Sequence, residues 1–118
     1  MDIAEIASKL GKEITSLVKR SKLEHLAIRK KGAITYDDFL ADKMLMRFVI
    51  QEGVPYNVFR LIQDITPLTE ENWADLLDLS TKSMHRYKQQ SKVFRPIQSE
   101  KIIEIFVYFQ SSLFFIIH

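Results

Sequence analysis

Lys82, His85, Arg86 and Gln89 recur at three- and four-residue intervals in the segment TKSMHRYKQQ, which puts them on one side of a helix. Long cationic and amide side chains aligned this way suit hydrogen bonding to base edges, because Arg pairs bidentately with guanine and Gln with adenine. Thr81 and Lys82 open that helix, where backbone N–H groups and the helix dipole favour a phosphate, and Ser83 is placed to share the backbone contact. Lys88, Lys92 and Arg95 continue the positive run and are assigned to phosphates, setting orientation rather than sequence preference. No carboxylate lies between Thr81 and Arg95, whereas Glu70, Glu71, Asp75 and Asp78 occupy the preceding segment with no base among them. Such segregation fits a surface that displaces counterions from phosphates, although a solvated charged helix would carry the same charges.

The elements that must position these side chains are legible around them. Residues 69–90, TEENWADLLDLSTKSMHRYKQQ, carry Thr69 as an N-cap with Glu70 and Glu71 in the first turn, then Trp73, Leu76 and Leu77 at helical spacing. Ala74 is small enough for a second helix to approach closely. Leu79 follows, and Ser80 is a fresh N-cap that opens a helix at Thr81, with Met84 and Tyr87 on its inward face. The turn between the two helices falls at Asp78, where Gly is usual, and Asp enters the left-handed region more readily than most residues. A small residue, apolar positions and a turn at these separations, joined to a basic outer face, favour a DNA-reading helix–turn–helix over a purely structural helix pair.

The chain as a whole sets the bounds. Its 118 residues fit one domain and its 47% hydrophobic content can build a core, while the net charge of +2 neither favours nor excludes a nucleic-acid partner. No cysteine is present, which excludes disulfides and thiolate metal sites. The start, MDIAEIASKLGKE, has early acids unlike a signal peptide, and the apolar stretch from Ile102 to Ile117 is interrupted and shorter than the roughly 20 residues that span a bilayer. A soluble, cytoplasmic protein without membrane contact is expected. His25, His85 and His118 are scattered, Gly11, Gly32 and Gly53 are isolated, and Asp37–Asp38 suits a helix start more than acid–base chemistry. No enzyme, metal or cofactor is therefore expected.

The pattern predicts an all-α fold, a small helical domain with a λ-repressor-like helix–turn–helix and an N-terminal helical arm. Residues 1–50 form the arm, for packing or dimerisation, and residues 51–118 form the DNA-binding domain with its C-terminal helix. In the arm, Ile3, Ala7, Leu10, Ile14 and Leu17 make an apolar stripe, widened by Ile6 and Val18, that Gly11 interrupts, with a break near Ser21 and a Gly32 cap after Arg29, Lys30 and Lys31. Thr35 opens a second helical unit, whose end MLMRFVI reads as helix in preference to strand, and Gly53 closes it. Pro55 starts a helix running to about Asp64, packed through Val58, Phe59, Leu61 and Ile62. Pro96 marks a break, and a last helix from residue 98 to about 110 turns Ile102, Ile103, Ile105, Phe106 and Phe109 inward. Leu113 to Ile117 form an apolar end that needs a cover, in a dimer or against the N-terminal helices.

Three segments carry a resemblance to a known family: EGVPYNVFRLIQDI (Glu52 to Ile65), LTEENWADLLDLSTKSMHRYKQQ (Leu68 to Gln90) and FRPIQSEKIIEIF (Phe94 to Phe106). In order and separation they resemble the Xre/MbcA/ParS-like antitoxins, through Gly53 and Pro55, Arg86, and the Ser99–Glu100 pair. The resemblance implies a dimeric, all-α, DNA-binding antitoxin that represses its own operon and neutralises a RES-domain toxin acting on NAD. Members of the family continue into a C-terminal toxin-binding module containing Gly, Pro and Trp, which is expected to be absent after SSLFFIIH. The alternative is a helical protein-interaction module whose basic helix is only surface.

Overall fold

In the computed structural model the described residues are 3–20 and 34–117, with Arg20, Tyr36 and 111–117 described by their backbone alone. The expected break near Ser21, the Gly32 cap, His25, His118 and the cover of Leu113 to Ile117 lie outside the described residues or side chains. The described residues form seven helices: α1 (Ile3–Arg20), α2 (Tyr36–Ala41), α3 (Lys43–Glu52), α4 (Tyr56–Asp64), α5 (Glu70–Leu76), α6 (Thr81–Gln90) and α7 (Pro96–Ile117). The fold is all-α, as the periodicity predicts.

One core unites these helices. Ile6, Leu10, Ile14 and Val18 of α1 are buried and the helix packs against α2 and α4, whereas Ile3 is exposed and Ala7 and Leu17 are half-buried, so the buried face is centred on the Ile6–Val18 side of the expected stripe. Helix α1 runs through Gly11 without a break, and the Thr15 hydroxyl at the next turn donates to the Gly11 carbonyl at 2.7 Å. The same hydroxyl accepts the Ile34 N–H at 2.9 Å, tying the chain entering α2 to α1.

The unit opening at Thr35 is two helices, not one. Thr35 and Asp38 form a capping box at the start of α2. Asp42 is extended (φ −116°, ψ 101°), and its carboxylate accepts the N–H groups of Met44 and Leu45 to start α3. A mid-unit Asp thus acts as a second N-cap, because its short acceptor competes with the helical ladder. The MLMRFVI segment is helical and ends at Gly53.

Gly53 adopts φ +93°, and a Cβ there would lie 2.5 Å from the Phe94 carbonyl oxygen. The close approach comes from an isolated antiparallel bridge between Pro55 and Val93, in which Phe94 N–H donates to the Val54 carbonyl at 2.8 Å and Tyr56 N–H to the Lys92 carbonyl at 2.9 Å. Pro55 consequently sits just outside α4 as its N-cap. Ser99, fully buried in α7, accepts the Val54 N–H at 2.8 Å and donates to the Phe94 carbonyl at 3.2 Å. Helix α7 starts at Pro96, which supplies the first helical residue instead of a break, and it extends beyond the expected end. Ile102, Ile103 and Phe106 are buried, whereas Ile105 and Phe109 are only half-buried.

Candidate nucleic-acid interface

The two helices of the motif are set by their caps. Thr69 and Asn72 form a capping box at α5, and Ser80 caps α6 by accepting the Ser83 N–H at 3.0 Å. Between them Asp78 takes φ 54°, Leu79 N–H reaches back to the Ala74 carbonyl at 2.8 Å, and Asp78 N–H bonds the Asp75 carbonyl at 3.1 Å. That pair of bonds is a Schellman closure with Asp in the position Gly fills best. Asp78→Gly is expected to raise the unfolding free energy by roughly 0.5–1 kcal/mol, because an L side chain is disfavoured in the left-handed region. A higher denaturation midpoint at unchanged m value would verify it.

The inner face of α6 is locked by its buried side chains. Met84 is buried, and Tyr87 stacks on Phe94 with ring centroids 4.6 Å apart. Phe94 also packs at 5.1 Å from Phe59, which meets the fully buried Trp73 edge-on at 5.2 Å. An aromatic chain from α5 through α4 to Phe94 therefore fixes how α6 stands on the domain. Phe94 lies in a connection, outside any helical period, so spacing alone did not reveal it. Leu76, placed with Trp73 and Leu77 by spacing, is exposed instead, on the edge of α5 facing Ile105 and Phe109.

Thr81, Lys82, His85, Arg86, Lys88, Gln89, Lys92 and Arg95 are all exposed, and Ser83 is half-buried. The Ser83 N–H is taken up by the cap, so the backbone contact to phosphate expected there is not available. The N–H groups of Thr81 and Lys82 have no partner among the described residues. Thr81 and His85 share a recess with Thr69, Glu70 and Glu71, which places His85 beside the acidic start of α5. Lys82, Arg86 and Gln89 form the neighbouring stripe and do not line that recess. Lys92 holds its ammonium 5.5 Å from the Tyr87 ring centroid, a cation–π contact that sets the lysine at the rear end of α6. Burial raises the Tyr56 hydroxyl above its ordinary pKa, with Glu70 adding to the effect, so it stays neutral behind the motif.

Two capped helices joined by a left-handed turn, the second presenting a basic stripe, define a helix–turn–helix protein of the DNA-binding class. Residues 48–106, half of the chain, match the family model described as the antitoxin Xre-like helix–turn–helix domain. The chain belongs to this antitoxin family, a regulatory, DNA-binding kind of protein. No curated protein and no solved structure matches the chain. No helix among the described residues is long and apolar enough to cross a membrane, and they contain no metal-binding cluster.

Proposed function

We propose that this protein is a transcriptional regulator of the type II antitoxin kind, which binds operator DNA as a cytoplasmic homodimer and represses its own operon. Residues 51–118 supply the DNA-reading unit and the N-terminal segment packs upon it. The observation that carries the proposal is the exposed Lys82–Arg86–Gln89 stripe on a helix whose opposite face is buried in the domain. In this assignment Lys82, Arg86 and Gln89 read base edges. Thr81 binds phosphate at the helix start, and Lys88, Lys92 and Arg95 grip the flanking backbone. His85 reaches DNA only at the margin, next to Glu70 and Glu71, which repel phosphate there. A RES-type toxin is the protein partner that the family resemblance implies, and its neutralisation is the second half of the proposal.

Titration of DNA from upstream of the reading frame against random DNA, over a range of salt, tests this. Each phosphate contact contributes about 0.9 to the fall of log K with log salt. Lys88→Ala with Arg95→Ala should therefore flatten the slope by about 1.8 and weaken both DNAs alike. Equal affinity of the wild type for the two DNAs would leave the basic helix as mere surface and overturn the proposal.

A further inference from the structure

Helices α3 and α7 pack against each other and leave an open groove of about 850 Å³ between them, far from the acidic start of α5 in sequence. One wall carries Lys43 and Arg47, one helical turn apart on α3, and the other carries Glu100 and Glu104, one turn apart on α7. Among the described residues none of these four is ion-paired within the chain. Met46, Ile50 and Val107 line the apolar floor, half-buried and only partly covered by the domain. Ile97 is 81% exposed and Tyr108 66% exposed, one at each end of the α7 wall. Helix α7 is apolar at every position from Ile105 to Phe109, so its apolar surface runs all round while the domain covers only one side.

We propose that this groove is the face on which a second copy of the chain docks, through a two-fold contact. A two-fold axis brings each surface patch onto itself, so a stable contact needs a patch that complements its own rotated image. A basic stripe beside a parallel acidic stripe has that property: rotation sets Lys43 and Arg47 of one copy against the acidic wall of the other. The exposed Ile97 and Tyr108 then enter the partner's floor, filling apolar space that water occupies in the single chain. The arm cannot serve instead, because its stripe of Ile6, Leu10, Ile14 and Val18 is already buried. The groove also opens at Pro96 and Ile97, immediately after Arg95, so the contact continues directly from the segment assigned to DNA phosphates. The assignment rests on the dimeric regulator proposed above, but its test contains no DNA and stands apart from operator binding.

Sedimentation velocity of the full chain, with circular dichroism to monitor folding, decides the matter. The wild type should sediment as a dimer. Reversing the basic stripe (Lys43→Glu with Arg47→Glu) or the acidic stripe (Glu100→Lys with Glu104→Lys) should each weaken self-association by at least about tenfold, as like charges meet across the axis. Mixed one to one, the two variants should recover a dimer, because each then meets its opposite. Should either reversal unfold the chain, Ile97→Asp, at a position open to water in the single chain, should give a folded monomer. A wild type that stays monomeric to roughly 100 µM, weaker than any useful dimer, gives the groove to another protein or to a segment of the same chain and overturns the proposal. A dimer indifferent to the reversals and to Ile97→Asp overturns it equally.

Discussion

Replacing Lys82 and Arg86 with Ala together should abolish selective binding to operator DNA while the helical circular dichroism spectrum stays that of the wild type. Both side chains are exposed on α6, and the helix is held from its other face by Met84 and by the stacking of Tyr87 on Phe94. Removing them takes away no buried contact, so fold stability should move little. Each lost base contact is worth about 1–3 kcal/mol, so the pair should weaken operator binding by about thirtyfold to twenty-thousandfold. Random DNA should lose far less, since phosphate contacts from Lys88, Lys92 and Arg95 remain. A gel-shift titration of the double variant that coincides with the wild type would remove the assignment of base reading from this stripe.

Gly53→Ala is the second large effect, and it acts through the fold. The residue combines φ +93° with a Phe94 carbonyl oxygen 2.5 Å and a Val93 Cγ1 2.6 Å from where a Cβ would stand. Neither problem can be relieved by a side-chain rotation alone, because the nearer atom is backbone: that oxygen accepts the Ser99 hydroxyl, and the N–H of the same residue donates to the Val54 carbonyl. The expected destabilisation is about 2–4 kcal/mol, from a backbone region that L residues rarely enter and from displacement of the bridge. For a domain of this size that corresponds to a fall in melting temperature of about 8–15 °C. Because the bridge sets Lys92 to Arg95 behind α6, operator affinity measured well below the transition should fall as well. Calorimetry showing a melting temperature within about 2 °C of the wild type would contradict the role given to this contact.

The two effects mark what a single chain reveals of itself. The motif at residues 69–90 was legible because its signals are local: Thr69 and Ser80 cap the helices through their own nearby N–H groups, and Asp78 tolerates the left-handed turn. Periodicity did not decide between a short strand and a helix for MLMRFVI, and the favoured helix is the state it adopts, with Gly53 to end it. Long-range placement left weaker marks. Phe94 reaches the centre of the aromatic cluster from a connection, where no periodicity announces burial. Asp42 splits one expected helix in two with a cap that is indistinguishable in composition from a surface acid. His85 shares a helical face with Lys82 by spacing, but the packing of α5 against α6 sets it beside Glu70 and Glu71. Ser83 has the right position for a phosphate contact, and its N–H is claimed by the Ser80 cap. In each case the sequence specifies which face a residue occupies, while the neighbouring helix determines what that face meets.

The same distinction governs function. Charge segregation between residues 69–78 and 81–95 points to a basic surface, and the fold makes that surface the outer side of a rigidly seated helix. Rigid seating matters because base contacts specify only when the helix that carries them is fixed against the domain. The aromatic chain from Trp73 through Phe59 and Phe94 to Tyr87 provides that seat.

The most direct test of α6 as the DNA-reading element is a titration of isotopically labelled protein with upstream operon DNA, followed residue by residue through amide chemical shifts. The account predicts that the largest changes fall on Thr81 to Arg95, with Lys82, Arg86 and Gln89 foremost and α1 nearly silent. Changes concentrated on α1, or a spectrum unaltered by saturating DNA, would contradict it.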